Sequence, residues 1–138
     1  IFMKTRFILP ALILTLVCGA FSLAAAAAQT GERQQIRIGK QKRFSSAALA
    51  VRFVSVVEDS RCPEGANCIW AGNARIKIEV GKGREKETFE LNTGVGAKEA
   101  VFKGYKIELL SLTPAPKENA SIDRDSYVAS FAVSRLTK

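Results

Sequence analysis

Two cysteines and a few carboxylates are the side chains whose spacing suggests chemistry. Cys62 and Cys68 stand six positions apart, with Pro63 and Gly65 between them. Pro63 fixes its own φ and Gly65 tolerates φ > 0, so this segment can reverse direction and bring the sulfurs together. Such a pair is either a structural disulfide or a reactive dithiol. Reactive pairs usually enclose two residues and sit at a helix N-terminus that lowers a thiol pKa. Neither feature is evident here, so the spacing points to a disulfide. In the chain-entropy model a loop of about seven residues contributes on the order of 2.5 kcal/mol. The chain has three cysteines and no histidine, which disfavours zinc.

Glu58, Asp59 and Glu64 are close in sequence, and Asp123 and Asp125 are two apart in a turn-rich stretch. Paired carboxylates can hydrolyse glycosidic bonds, but acids in loops are usually solvated turn formers. Asp123-Arg124-Asp125 lacks the glycine and distal glutamate of an EF-hand loop, and no glycine-rich phosphate motif is present. Without histidine, serine-type triads and histidine-bearing metal sites are excluded in this chain. The expectation is a non-enzymatic protein that needs no metal or other cofactor.

The elements that position these residues follow an apparent export signal. Lys4 and Arg6 after Met3 form a short positive region, Phe7 to Val17 is almost wholly apolar, and Ala26-Ala27-Ala28 offers a cleavage site. Ile1 and Phe2 precede the single methionine, so Met3 is the expected start. Retention of the segment as an anchor is the rival reading, disfavoured by the weakly apolar alanine tract and the lack of a basic stop. Val17 before Cys18 fits lipidation poorly. Cleavage removes residues 1–28 and with them Cys18, leaving one cysteine pair in a single domain, residues 29–138, of a periplasmic or secreted protein. Once cleaved, the product is not an integral membrane protein.

The periodicity of that domain is two nearly everywhere. Ile36 and Ile38 alternate with polar neighbours. Leu49, Val51, Phe53 and Val57 share one face of a long strand, with Ser55 the exception. Ala74, Ile76, Ile78 and Val80 alternate with Arg75, Lys77 and Glu79, the cleanest half-buried strand in the chain. Gly81-Lys82-Gly83 reads as a hairpin turn leading to Phe89 and Leu91, and Asn92 to Lys98 as a loop. Tyr105, Ile107 and Leu109 form a strand ended by Pro114 and Pro116, and Pro114 to Asp125 is the longest surface connection. Tyr127, Ala129, Phe131 and Val133 close the chain. Six or seven strands without a crossover helix predict an all-β antiparallel β-sandwich of immunoglobulin-like architecture, with a small barrel as the alternative.

Trp70 shares parity with Ala74, Ile76 and Ile78, so its first expectation is a core anchor beside the disulfide; the functional alternative is an exposed aromatic that docks a partner. Asp59 and Arg61 precede Cys62 and are expected to pair locally or cap turn amides, with a role as charged recognition points as the functional alternative. With Glu64 and Asn67 inside the cysteine loop, Asp59, Arg61 and Trp70 make up the candidate binding residues. The run Asp59 to Gly72, D-S-R-C-P-x-G-x-x-C-x-W-A-G, resembles the signature of a group of small exported bacterial proteins. The alternation from Ala74 to Val80, the Gly104-Tyr105 strand start and Tyr127 are similar too. The resemblance implies an extracytoplasmic β domain with a disulfide and brings no biochemical activity with it.

The chain carries 21 basic and 13 acidic residues, a net charge of +8. Its cations cluster at Arg33, Arg37, Lys40, Lys42 and Arg43 and again at Arg75, Lys77, Lys82, Arg84 and Lys86. On strands these usually form a solvated face that discourages edge aggregation; the functional alternative is weak contact with an anionic surface. No aromatics are interleaved with them, so nucleic acid is not an expected partner. Asn119-Ala120-Ser121 matches a glycosylation acceptor, which matters only in a eukaryotic secretory pathway. Three readings remain: an interaction module for an extracytoplasmic protein or cell-envelope component, an inhibitor of an extracytoplasmic peptidase, and an envelope protein docking anionic polymer.

Overall fold

The computed structural model describes residues 31–137; the expected export signal and its cleavage point lie outside the described residues. The strands are β1 (Glu32–Arg37), β2 (Gln41–Phe44), β3 (Leu49–Asp59), β4 (Ala74–Lys82), β5 (Glu85–Asn92), β6 (Glu99–Phe102), β7 (Tyr105–Thr113) and β8 (Val128–Arg135). They form two four-stranded antiparallel sheets, ordered β1-β8-β7-β6 and β2-β3-β4-β5. The sheets are not closed into a barrel, so the sandwich expected from the alternation is the fold. Among the described residues no helix is long and apolar enough to cross a membrane.

Alternation buries one face of each sheet. Ala74, Ile76, Ile78 and Val80 are fully buried on β4, and Ala129, Phe131 and Val133 on β8. Two edge-to-face aromatic pairs join the layers: Phe53 with Phe131, centroids 6.5 Å apart, and Phe89 with Phe102 at 6.4 Å. Tyr105 stacks under the ammonium of Lys82, 4.6 Å from the ring centroid, and that ammonium also donates to the Ala47 carbonyl at 3.0 Å. Glu32 ties β1 to the β2–β3 turn by accepting from Ser46 N at 3.0 Å and Ser46 Oγ at 2.8 Å. These bonds and one from Gln34 hold its carboxyl at about 2.

Three expectations change. Eight strands are present, because β2 and β6 are four residues each and too short to show alternation. The β4–β5 turn sits at Gly83-Arg84, since Lys82 pairs with Glu85. The third correction concerns β3, whose pairing with β4 shifts between Phe53 and Ser55 and again between Val56 and Glu58. Each bulge places an extra residue on one strand and turns the following side chains over. Val56, opposite Ile76, packs on the core, whereas Val57 is 43% exposed. The bulge accounts for the polar Ser55 in an otherwise apolar face.

This assignment predicts that Val56→Ala destabilises by about 1–1.5 kcal/mol, from two buried methylene equivalents, while Val57→Ala changes stability by less than about 0.5 kcal/mol. Urea denaturation of both variants checks it, and equal effects would contradict the bulged register.

Candidate functional site

The chain between β3 and β4 leaves and re-enters the sandwich through a short antiparallel stem. Ser60 N donates to Asn73 O at 2.7 Å and Cys62 N to Ala71 O at 2.8 Å. The stem is tight because Gly72, at φ +73°, has no Cβ; one built there would lie 1.9 Å from Ser60 O. A second loop braces the stem: the Asn73 side chain donates to Asn92 Oδ1 at 2.8 Å and accepts from Gly94 N at 2.9 Å. Thr93 Oγ1 accepts from Ala74 N at 2.9 Å.

Beyond the stem lies the disulfide. Cys62 and Cys68 are bonded, with Cα atoms 5.9 Å apart. Between them Ala66 N donates to Pro63 O at 3.1 Å, closing a turn whose third residue, Gly65, has φ +87°. A positive φ there is what a type II turn demands. Glu64 N donates to Pro116 O at 2.8 Å, fastening the loop to the 114–127 connection.

Asp59 and Arg61 pair locally, and their charged groups point into the protein. The guanidinium is bidentate on the carboxylate, Nε to Oδ1 at 2.8 Å and Nη2 to Oδ2 at 2.7 Å. Its remaining donors reach across to the other sheet, meeting Leu112 O at 2.6 Å and Pro114 O at 2.9 Å. Tyr127 donates its phenol to Asp59 Oδ2 at 3.0 Å. The Arg61 and Asp59 side chains keep only 14% and 10% of their exposure. Burial would raise the Asp59 carboxyl, but the bonds from Arg61 and Tyr127 outweigh it and leave the pKa below the ordinary aspartate value. Tyr127 is pushed up by burial and by its bond to the carboxylate.

Glu64, Asn67 and Trp70 lie on the exposed rim of the loop. Trp70 is 66% exposed, which overturns the core-anchor expectation. Its parity with β4 carries no information because the strand begins at Ala74, after the left-handed Gly72. Ile69 beside it is entirely exposed and is not among the candidate residues of the sequence. Val95, 69% exposed, sits on the loop braced against Gly72, at the same end of the sandwich. Most other residues of the run have internal work: Asp59 with Arg61, Ser60 with Asn73, the two cysteines with each other, and Gly72 with the backbone of Ser60. Among the described residues Trp70 donates no hydrogen bond, and most of its ring faces solvent.

The basic clusters differ in their pairing. Arg75 lies near Glu58 and Glu90, and Lys86 near Glu79. Among the described residues, Arg33, Arg37, Lys40, Lys42 and Arg43 have no carboxylate within ion-pair distance. The described residues contain no group of three or more metal-ligating side chains.

Asp59→Asn should cost about 2–4 kcal/mol at pH 7 by leaving Arg61 buried without its counter-charge. Because the folded carboxyl pKa is depressed, this stabilisation is complete above the unfolded value near ~3.9 and is lost as pH falls through the folded one. The raised Tyr127 value adds stability that fades as pH climbs above ~10. Urea denaturation at pH 7 and pH 3 should therefore show a large parent–variant gap that shrinks in acid; a constant gap would contradict the network. Compared with protein-family models, curated proteins and solved structures, the chain matches none of them.

Proposed function

We propose that the protein is an exported, non-enzymatic interaction module that recognises a protein partner through Ile69 and Trp70. One observation carries this reading: two adjacent large apolar side chains, 104% and 66% exposed, stand on a loop immobilised at several independent points. Exposing them to water is unfavourable in the free protein, and covering them in a complex is where an aromatic anchor gains most. The fastening of the loop lowers the conformational entropy lost on binding. The disulfide supports an oxidising compartment, in keeping with the export signal and with the resemblance of residues 59–72 to exported bacterial proteins.

Charge supports a protein partner over a polyanion at this end. Apart from the Asp59–Arg61 pair, the loops there carry Lys40, Lys98, Lys117 and Arg124 against Glu64, Glu118, Asp123 and Asp125, which balance. Among the described residues the net positive charge lies elsewhere, on the strands and the opposite end.

The mature, oxidised domain should capture a discrete partner from cell-envelope extract. Trp70→Ala should weaken capture at least ~30-fold, equivalent to a hot-spot loss of about 2 kcal/mol, with the melting temperature unchanged. Ile69→Ser should act in the same direction, and Arg33→Gln should have no effect. Undiminished capture by Trp70→Ala would rule out the loop as the recognition surface.

A further inference from the structure

The outer face of the second sheet holds a polar depression remote from the cysteine loop. Two cross-strand rows build it. One runs Arg43, Ala50, Gly81, Lys86 across β2, β3, β4 and β5; the next runs Gln41, Arg52, Glu79, Thr88. Val51 and Val80, the neighbours of the two small residues, are buried, so Ala50 and Gly81 face outward. They form the floor of a hollow of about 310 Å³ whose walls include Gln41, Arg43, Glu79 and Lys86. That volume is at the small end of ligand sites, matched to one monomer-sized polar group.

Gly81 is the informative residue. Glycine inside a strand weakens it and commonly marks a bulge, a sharp bend or a place where another group approaches closely. No bulge occurs in the β4–β5 pairing, and no left-handed φ is required of Gly81. A Cβ there would meet Glu85 O at an ordinary 3.5 Å and Lys86 Cγ at a tight 3.3 Å that the flexible lysine stem relieves by a small shift, so no backbone clash forbids a side chain. The missing side chain instead leaves the hollow open.

The walls define the chemistry of an occupant. Arg43 offers an exposed guanidinium fork, and among the described residues neither it nor Arg52 has a carboxylate within ion-pair distance. Lys86 lies 3.1 Å from Glu79 and keeps further N–H donors, while Glu79 and the Gln41 amide can bond hydroxyls. A fork and a point charge on opposite sides of a small floor suit a phosphate, which accepts from several directions at once. We propose that this hollow binds a phosphate-bearing polyol, such as one unit of a glycerol-phosphate or sugar-phosphate polymer. Arg43 and Lys86 hold the phosphate, and Glu79 and Gln41 hold the hydroxyls. The site is separate from the Ile69–Trp70 surface, so either assignment can fail without the other.

The test is an amide chemical-shift titration of the oxidised mature domain with glycerol phosphate, inorganic phosphate and glycerol. Saturable shifts confined to residues 41–43, 50–52, 79–81 and 86 are expected, strongest with glycerol phosphate and absent with glycerol. Arg43→Gln should weaken binding about tenfold. Gly81→Thr, a residue well suited to an extended strand, should keep the fold, read from an unchanged amide spectrum away from residues 79–88, but abolish the saturable shifts. Any of three results overturns the proposal: no shifts, shifts spread equally over Arg33, Arg37 and Arg124, or full binding by Gly81→Thr. Sedimentation with phosphatidylglycerol vesicles that is indifferent to Arg43 and Gly81, without glycerol-phosphate shifts, would assign the charge to a lipid surface and also overturn it.

Discussion

The contact on which the loop end depends is the largely covered Arg61 guanidinium, which bonds strand ends of both sheets. It neutralises Asp59 at the end of β3 and donates to the carbonyls of Leu112 and Pro114, at and just beyond β7. Asp59 in turn receives Tyr127 at the start of β8. One ion pair therefore joins three strand ends from two layers where the connecting chain is longest and least regular. Taking both charges out of water is costly, and the arrangement is tolerable because Arg61 and Asp59 find partners at short distance. A sheet arrangement that misplaced β3 against β7 would leave this largely covered charge without its partners.

From that point the cysteine loop is built outward in order of decreasing burial. The stem at Ser60–Asn73 starts beside the ion pair, Gly72 lets its two arms meet, and the disulfide closes the next level. Glu64 then fastens the far side to the 114–127 connection. Polar and covalent links do what a hydrophobic core does elsewhere, because these residues have no second layer to pack against. Ile69 and Trp70 are consequently held outside the core by the structure beneath them. The glycine-floored hollow on the sheet face belongs to the opposite case, in which regular strands supply rigidity and side-chain size alone shapes the surface. Neutral charge at the loop end and cations around the hollow separate the two surfaces chemically.

Much of the sandwich was legible because a half-buried strand must alternate. Residues 74–80 and 129–133 are read correctly residue by residue, since nothing interrupts their period, and Tyr127 is buried as the alternation requires although the strand begins one residue after it. Residues 49–59 are read correctly only to Phe53, because a bulge leaves no mark in composition beyond an odd polar residue such as Ser55. The disulfide was legible from the turn-forming Pro63 and Gly65, and the Asp59–Arg61 pairing from proximity. The partners of that pair were not, because Leu112, Pro114 and Tyr127 are more than fifty positions away and two of them contribute only backbone carbonyls. Trp70 was misplaced because parity was extended through Gly72, whose left-handed conformation breaks the strand. Its exposure has no local signature and follows from how the stem is anchored.

A preorganised recognition surface requires Trp70 to be both solvent-exposed and rigidly held. Time-resolved fluorescence anisotropy of the oxidised protein, combined with iodide quenching, reads both properties from the single tryptophan. Red-shifted, strongly quenched emission whose anisotropy decays mainly with the tumbling of the whole domain is the predicted result. Blue, unquenched emission would return Trp70 to the core, and quenched emission with fast local decay would make the loop a flexible tether; either would contradict a preorganised recognition surface.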